Sequence, residues 1–433
     1  MKLLFIENRY KTYFYDEICK HLEKEHEIYW IVQNPKFLPQ TGDIYSIPFP
    51  SKKTKINKDV DLSYILESER QQHFFNNKAT SYFYYYHDKI NKIIQRLRPD
   101  IVFGESTAFH ELLAINICRT LDILYLNPST CRYPVGRFSF YQYDTLTPFG
   151  GSNQILSKEE GYNIIDNIIN RDVKPDYMKT VSFSRINSIR DKLKMITSYY
   201  SGESYNTPSP WIKFTKERKK RKHIKLWDKV ATSSIDKHTF SVLYPLQMQP
   251  EANIDVWGRP YRDQFKTILK LYEQRNEGEI LYVKPNPKSK YELSEKLINF
   301  IKNNPGIVAL RHDVSMNAIF DDIDLFVTVT GTIAIECIFA NKPVVTLVKT
   351  LNNKAANCIY LKNMKLLQEQ ILKVRNHDFP SLSKEEKLDF LNLLNASSFK
   401  GVVSDPYNST YSVSEKNISD VVKALNNILI SKV

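Results

Sequence analysis

Residues 241–264 read SVLYPLQMQPEANIDVWGRPYRDQ, and the fold of the surrounding chain follows from this stretch. The apolar run Val242–Tyr244 predicts a short buried strand, and two side-chain amides and a carboxylate follow it at Gln247, Gln249 and Glu251. Residues two apart point the same way in an extended chain, so these side chains are expected to project from one edge. Polar groups beyond the carboxyl end of a strand are typical of ligand sites in open α/β sheets. The alternative is an ordinary polar loop after a strand.

The chain on both sides of this segment alternates between strand and helix patterns. Short apolar runs that predict strands lie at 2–6, 27–32, 100–103, 123–126, 279–283, 307–310, 325–329 and 343–348. Helical spacing of apolar residues occurs between them, at 13–25, 110–121, 262–277, 292–303 and 332–340. Such alternation predicts parallel sheets with helices on both faces, and a chain of 433 residues is too long for one core. We therefore expect two Rossmann-like domains.

A second polar junction follows the predicted strand 325–329. Thr330, Gly331 and Thr332 offer two hydroxyls and backbone N–H groups at the start of a helix, which is a site for an anion such as phosphate. Gly331 lets the backbone approach the anion closely. Glu336 lies four residues after Thr332 on the same helix face, where it either binds ribose hydroxyls or faces solvent. The sequence contains neither G-x-G-x-x-G nor G-x-x-x-x-G-K-[ST], which excludes the dinucleotide and P-loop fingerprints.

Overall composition limits the class of protein. No stretch approaches the ~20 apolar residues of a membrane helix, and the first residues predict a strand instead of a signal peptide, so we expect a cytoplasmic protein. The net charge of +13 favours anionic partners, although no nucleic-acid-binding signature is present. Residues 213–225 contain eight Lys and Arg side chains, which form either a solvated linker or a peripheral contact with the anionic inner face of the membrane.

The cysteines at 19, 118, 131, 337 and 358 form no C-x-x-C pair and no metal-ligand spacing. Buried free thiols are therefore expected, without disulfides or a structural zinc. Asp321–Asp324 contains a D-x-D triplet, but this segment precedes an apolar strand as a polar helix end and is not expected to hold a metal. We expect no metal and no cofactor.

Three segments taken together resemble a known family. They are PLQMQPEANIDVWGRPYRDQ (245–264), LYVKPNP (281–287) and VTVTGTIAIECIFANKPVVTL (327–347). In order and spacing they resemble the bacterial capsule and surface-polysaccharide glycosyltransferases related to the capsular Kdo transferases. The resemblance implies a GT-B fold, with two Rossmann-like domains facing a central cleft and a C-terminal helix crossing back. It also implies transfer of a Kdo-type or other keto-sugar acid from a CMP-activated donor to a glycan or lipid-linked acceptor.

The resemblance implies a specific role for each of the polar residues. Glu251 matches an acidic position of the family and is expected to act as a general base or a nucleophile, and Lys284 is expected to neutralise the leaving phosphate. Asn286 stands where the relatives carry His, and it can donate a hydrogen bond but cannot carry a proton. The expected donor and nucleotide contacts are Gln247, Gln249, Asn286, His312, Ser315, Thr330, Gly331, Thr332 and Glu336.

Acceptor contacts are expected in the N-terminal domain. Glu105 follows a predicted strand end, where it either contacts the acceptor or stabilises the next helix, and Arg137 is either an acceptor contact or a surface residue. The domain boundaries expected are 1–235 for the acceptor side, 236–395 for the nucleotide-sugar side and 396–433 for the returning helical segment. Two alternatives stay open: a UDP-sugar-using GT-B transferase or epimerase, and a non-catalytic relative that binds carbohydrate or anionic lipid.

Overall fold

The structure is a computed structural model that describes residues 1–432 except 52, 53, 55, 57, 76, 174, 176–184 and 408, and without the side chains of 185–188, 191 and 432. Strands and helices alternate along most of the described chain. The strands, in chain order, are β1 (Lys2–Ile6), β2 (Glu27–Val32), β3 (Asp43–Ser46), β4 (Ile101–Phe103), β5 (Leu124–Thr130), β6 (Arg137–Gln142), β7 (Phe240–Pro245), β8 (Glu279–Lys284), β9 (Ile307–Ala309), β10 (Leu325–Thr328), β11 (Val344–Thr346), β12 (Cys358–Tyr360) and β13 (Phe399–Lys400).

The α-helices, in the same order, are α1 (Lys11–Leu22), α2 (Ser63–Ser68), α3 (Arg70–Phe74), α4 (Ser81–Leu97), α5 (Phe109–Thr120), α6 (Lys158–Ile169), α7 (Arg185–Tyr200), α8 (Pro210–Val230), α9 (Ala252–Asp255), α10 (Gln264–Glu273), α11 (Glu295–Asn303), α12 (Ile333–Ala340), α13 (Leu367–Arg375), α14 (Lys384–Ala396) and α15 (Glu415–Lys432).

The chain divides into two compact units. Unit 1 contains Met1–Leu156, Lys174–Pro210 and Asn392–Val433, and unit 2 contains Ser157–Val173 and Trp211–Leu391. Each unit is built around one sheet with its own buried core of apolar side chains.

The sheet of unit 1 has the strand order β13-β6-β5-β4-β1-β2-β3. The strands from β5 to β3 are parallel, whereas β6 is antiparallel to both of its neighbours, β5 and β13. The chain moves from β1 to β2 and β3 on one side and then starts again with β4 on the other side of β1. The C-terminal helix α15 returns to this unit, where Val421, Leu425 and Ile428 share the buried core with Phe14 and Ile18 of α1.

The sheet of unit 2 has the order β12-β11-β10-β7-β8-β9, and its strands are all parallel. β7 is a central strand, and Val242, Leu243 and Tyr244 are buried on its two faces, as the continuous apolar run in the sequence predicts. The strand order reverses between β7 and β10. Ligands of open α/β sheets bind outside the carboxyl ends of the strands at such a reversal.

The prediction of an α/β protein with two Rossmann-like domains is confirmed by these two sheets. In the described part of the chain, no helix is both long and apolar enough to cross a bilayer. The cysteines are all buried free thiols, as expected from their spacing.

Candidate functional site

The two polar segments predicted from the sequence meet at the strand-order reversal of unit 2. Gln247 follows β7 and Thr330 follows β10, and the two strands are neighbours. With its amide oriented to suit its neighbours, Gln247 donates to Thr330 Oγ1 (3.2 Å) and accepts from the backbone N–H groups of Thr330 (3.0 Å) and Gly331 (3.3 Å). Thr330 Oγ1 also donates to the carbonyl of Asn253 at 2.8 Å. Hydrogen bonds therefore join the loop after β7 to the loop after β10 at this edge of the sheet.

These bonds change the expected role of the first two amides of the Thr330–Thr332 segment. The N–H of Gly331 lies 3.2 Å from Thr328 Oγ1 as well as near Gln247, so the amides of Thr330 and Gly331 already have partners within the protein. They hold the segment in place. Thr332 is the N-cap residue of α12, which therefore starts directly after this segment.

The side chain of Gln249 points into the protein. It is buried, it donates to Asp255 Oδ1 (2.6 Å) and to the carbonyl of Arg262 (2.8 Å), and it accepts from Gln264 Nε2 (3.0 Å). Gln264 also exchanges two bonds with the backbone of Gln247, each at 2.8 Å. Gln249 and Gln264 thus fix the shape of the loop after β7, and the extended alternation expected for Gln247, Gln249 and Glu251 does not describe their directions.

Glu251 has a fixed backbone and a carboxylate that is open to a ligand. Its N–H donates to Asp255 Oδ2 at 2.9 Å, and Asp255 is itself buried and held by Gln249. The Glu251 side chain is half-buried, and its carboxylate makes no hydrogen bond or ion pair with the residues that the structure describes. An acid with a held main chain and a free carboxylate is suited to contact a bound molecule.

Lys284 is the last residue of β8, and its side chain is 2% exposed. Its ammonium group donates one hydrogen bond, to the carbonyl of Pro285 at 3.3 Å, and forms no ion pair with the described residues. Burial lowers the pKa of Lys284, and the charge of nearby Asp313 acts in the opposite direction. A buried ammonium has three donors and normally has an anionic partner, so this site lacks the partner that its chemistry requires.

Asn286, His312 and Ser315 lie in the loops after β8 and β9. Asn286 Oδ1 accepts from the N–H of Lys288 at 2.8 Å, so this side chain closes a turn. The N–H of His312 donates to Asp228 Oδ1 at 2.9 Å, while its Nε2 is buried without a hydrogen-bond partner. Ser315 is exposed and caps a short 3₁₀ helix. The structure shows no contact between these side chains and the edge formed by Gln247 and Thr330.

Glu336, one turn into α12, forms an ion pair with a residue that sequence reasoning missed. Arg171 Nη2 lies 2.6 Å from Glu336 Oε2, and both side chains are largely buried. The guanidinium of Arg171 also donates to Asn317 Oδ1 at 3.0 Å and stacks on the Phe320 ring at 4.0 Å. Arg171 follows α6, which lies far from the recognised segments in sequence, so no local pattern connects it with α12.

Gly331 is tightly enclosed. A Cβ atom at this position would lie 2.5 Å from Thr328 Oγ1. We expect Gly331→Ala to push the Thr330–Thr332 segment away from β10 and to destabilise unit 2 by ~1–3 kcal/mol, the usual cost of overpacking. Thermal unfolding of the variant measures this effect. A Thr328→Ala change in the same chain removes the clashing oxygen and should recover part of the loss, and no recovery would contradict a local steric cause.

In unit 1, Glu105 lies at the strand-order reversal between β1 and β4. It accepts from Asn8 Nδ2 at 3.2 Å and pairs with the ammonium group of Lys11. Burial lowers the pKa of Lys11 to about 8, while the charges of Glu111 and Asp405 act in the opposite direction. Glu111 has the helix-capping role, since it accepts from the backbone N–H groups of residues 105, 107 and 108. The Glu105 carboxylate also accepts from Thr107 Oγ1 at 3.3 Å, so it belongs to a polar cluster with Asn8, Thr107 and Lys11.

Arg137 is buried and occupies another part of unit 1. Its guanidinium donates to the carbonyls of Asn395 (2.9 Å) and Ser398 (2.7 Å) and to the hydroxyls of Ser152 and Ser398 (2.8 Å each). These bonds join β6 to the segment that leads into β13. The structure shows no contact between Arg137 and Glu105.

Metal ions in proteins are held mainly by His, Cys, Asp and Glu side chains. Among the residues that the structure describes, no group of three or more of them is arranged to hold a metal ion. The charged groups at the edge of unit 2 include the Lys284 ammonium, the Glu251 carboxylate and the Arg171–Glu336 pair.

Solved structures resemble the chain only distantly. Thermosulfurimonas dismutans KpsC, beta Kdo 2,7 transferase, is 10% identical, with a TM-score of 0.36, over 98% of this chain and 100% of that one. The UDP-GlcNAc 2-epimerase from Neisseria meningitidis bound to UDP-GlcNAc is 10% identical, with a TM-score of 0.27, over 100% of both chains. Likeness at this level carries no argument about activity.

Comparison of sequences gives a more specific result. No curated protein matches the chain. Residues 167–353, however, match the family described as capsule polysaccharide biosynthesis protein. The matched range includes Arg171, the loop after β7, Lys284 and the whole of α12. Residues 167–353 are therefore similar in sequence to the capsule polysaccharide biosynthesis proteins, and this match confirms the resemblance carried by the three segments.

Proposed function

We propose that the protein is a glycosyltransferase of cell-surface polysaccharide assembly. It transfers a Kdo-type or other keto-sugar acid from a CMP-activated donor to a glycan or lipid-linked acceptor, and it acts in the cytoplasm. The family match over residues 167–353 supports the setting of polysaccharide synthesis. The buried and unpaired ammonium group of Lys284 supports a phosphate-bearing donor, and it is the observation on which the proposal depends.

Lys284 is well placed to bind a phosphate at the strand-order reversal. β8 pairs with β7, and β7 pairs with β10, so the ends of β8 and β10 are about two strand spacings, ~10 Å, apart. A phosphate between these ends is within reach of a lysine side chain on one side and the start of α12 on the other. The phosphate would supply the anion that Lys284 lacks, and the helix N-terminus would add further stabilisation.

The chemistry of glycosyl transfer assigns the remaining groups. Negative charge develops on the departing phosphate and positive charge on the sugar as the bond between them breaks. Lys284 stabilises the phosphate, and the free Glu251 carboxylate faces the sugar, either removing the proton of the acceptor hydroxyl or attacking the anomeric carbon. Asn286 is uncharged and contributes at most a hydrogen bond. No metal or other cofactor takes part in this proposal.

The acceptor is proposed to bind beyond the carboxyl ends of the parallel strands of unit 1, where Glu105 and Lys11 lie side by side. Sugar hydroxyls both donate and accept hydrogen bonds, so an adjacent carboxylate and ammonium suit them. Arg137 belongs to a different cluster, and its hydrogen bonds link parts of unit 1. We assign Arg137 a supporting role in that unit.

Thermal-shift measurements with CMP, UDP and GDP test the donor class. The proposal predicts stabilisation by CMP and not by UDP or GDP. Stabilisation by UDP alone would instead support a UDP-sugar transferase or epimerase. If no nucleotide stabilises the protein, it is a non-catalytic relative that binds carbohydrate or lipid, and the proposal fails.

Nucleotide binding should weaken at alkaline pH. Only the protonated form of Lys284 attracts phosphate, and burial lowers its pKa in the free protein. Affinity is therefore expected to fall as the pH rises through that lowered pKa, by at most about tenfold per pH unit. Titration calorimetry between about pH 7 and pH 10 measures this dependence. The Lys284→Arg variant keeps its positive charge over that pH range. Any CMP binding that this variant retains should therefore not depend on pH.

The Arg171–Glu336 pair should act as one unit in nucleotide binding. Arg171→Gln leaves the largely buried Glu336 carboxylate without its ion-pair partner, and Glu336→Gln does the reverse. We expect each change to weaken CMP binding by about tenfold, the size of a hydrogen bond to a charged group. The double variant should be no weaker than either single one. Additive losses would show that the two residues act separately.

A further inference from the structure

Helix α8 concentrates the positive charge of the protein. Residues 211–230 contain nine Lys and Arg against two acidic residues, so this helix contributes +7 of the net charge of +13. At helical spacing, the sequence distributes these cations over all faces of the helix. The structure shows which of them are exposed and which have partners.

One face of α8 is exposed along most of its length. Trp211, Phe214, Arg218, Arg221 and Lys225 follow each other at spacings of three and four residues, which places them on one side of a helix. All five side chains are exposed, and the two rings are conspicuous, with 72% of Trp211 and 49% of Phe214 in contact with solvent. We call these five residues the outer face of α8.

The opposite face of α8 holds the helix to unit 2. Trp227 is fully buried in the core of that unit, and its Nε1 donates to the carbonyl of Leu310 at 2.7 Å. Ile224 and Leu226 pack against the same core, and His223 Nδ1 bonds to the carbonyl of Leu293 at 2.8 Å. The fold therefore depends on the inner face, whereas Trp211 and Phe214 are not among the described residues that form or pack against the core of unit 2.

Among the described residues, no carboxylate forms an ion pair with the cations of the outer face. Lys220 pairs with Glu217 and Lys222 pairs with Glu295, but both lie beside the outer face. Within the described chain, Arg221 and Lys225 form no ion pair, and Arg218 stacks on the Phe214 ring at 4.9 Å. The outer face thus combines two exposed aromatic rings with three cations that no described carboxylate neutralises.

We propose that the outer face of α8 binds an anionic lipid surface. Trp and Phe side chains gain from burial in the interfacial region of a bilayer, and Lys and Arg gain from the negative headgroups around them. A helix that lies along the membrane needs both, with rings and cations exposed on the same side. Duplex nucleic acid would match the charge, but its base faces are stacked inside the helix and offer no apolar layer for two neighbouring rings. This surface is independent of the nucleotide site, so the proposal stands apart from the proposed function.

Vesicle co-sedimentation of the full chain tests the proposal. Binding is expected to phosphatidylcholine vesicles that contain about 30% phosphatidylglycerol and not to phosphatidylcholine alone, and to weaken in about 0.5 M salt. Each cation removed should lower affinity by roughly fivefold. Arg218→Gln/Arg221→Gln/Lys225→Gln should therefore weaken binding about a hundredfold, and Trp211→Ser/Phe214→Ser should weaken it without removing its salt dependence.

The matched control replaces three exposed lysines near β12, at the opposite edge of the sheet, in Lys354→Gln/Lys362→Gln/Lys365→Gln. It removes the same charge and should bind vesicles almost as the original chain does. If the control loses vesicle binding as strongly as the α8 variant does, net charge alone causes the binding. If the original chain binds neutral vesicles as well as anionic ones, apolar contacts alone cause it. Either result overturns the proposal, as does binding to RNA without binding to vesicles.

A second exposed apolar stripe, on α7, is an alternative lipid-binding surface that the experiment must distinguish from α8. On α7, Ile189, Leu193, Ile196 and Tyr200 are exposed at helical spacing. If Ile189→Ser/Leu193→Ser abolishes vesicle binding while the α8 variants retain it, the lipid-binding surface is α7 and the proposal is wrong. Unchanged circular dichroism and melting of every variant show that the differences come from the surface and not from misfolding.

Discussion

Lys284→Met is expected to make the ligand-free protein more stable and to abolish its stabilisation by CMP. Methionine has a similar length and places no charge in the buried position that the ammonium group now occupies. Removing a buried polar group that lacks adequate partners should raise the free energy of unfolding of unit 2 by ~1–3 kcal/mol. The melting temperature should rise by roughly 2–4 °C for each kcal/mol. Differential scanning calorimetry with and without CMP measures both effects.

The pH dependence of this stabilisation has a definite sign. Burial lowers the pKa of Lys284 in the folded protein, so the unfolded chain binds more protons between the folded and unfolded pKa values. The stability of the original chain should rise with pH over that interval, and its difference from Lys284→Met should shrink. Lys302→Met, at an exposed position on α11, is the control and should change neither stability nor CMP binding. A destabilised Lys284→Met protein would show that an internal partner already satisfies the ammonium group.

Glu251→Gln is expected to abolish sugar transfer while leaving CMP binding unchanged. The amide keeps the shape of the side chain, and the backbone N–H of residue 251 still donates to Asp255, so the loop after β7 should keep its structure. The amide cannot accept a proton or attack the sugar. Loss of a general base lowers the rate by ~10²–10⁴-fold, and loss of a nucleophile lowers it further. Steady-state transfer rates and titration calorimetry with CMP give the two readouts.

Intact-mass analysis separates the two possible roles of Glu251. A nucleophile forms a covalent glycosyl-enzyme whose mass exceeds that of the free protein by one sugar residue, whereas a general base forms none. Glu273→Gln, which changes an exposed glutamate on α10, should transfer sugar normally. Transfer by Glu251→Gln at the original rate would refute the assignment of this carboxylate to the reaction.

The fold was largely predictable because each sheet leaves a local pattern. Strands that are buried on both faces, such as Val242–Tyr244, read as short apolar runs, and the helices between them keep their own spacing. The sequence contains no such local pattern to show which of the two units a given helix belongs to. α6 belongs to unit 2, for instance, because Gly161 fits against Leu388, and contacts between residues so distant in sequence have no local signature.

At the candidate site, the sequence indicated which loops matter but not what each side chain does. Gln247 and Thr330 were predicted near one edge, and the structure joins them. Gln249 lies in the same loop, yet it points inward because Asp255 and Gln264 offer it buried hydrogen bonds. Arg171 was missed for the opposite reason, since a single arginine beyond a helix end has no distinguishing context until the fold brings it to Glu336.

A crystal structure with bound CMP tests the central claim most directly. We predict that a phosphate oxygen of CMP lies within hydrogen-bond distance of Lys284 Nζ, beyond the ends of β7, β8 and β10, with the Glu251 carboxylate facing the space where the sugar would be. A nucleotide bound elsewhere, with the Lys284 ammonium group still bonded only to the carbonyl of Pro285, would contradict it.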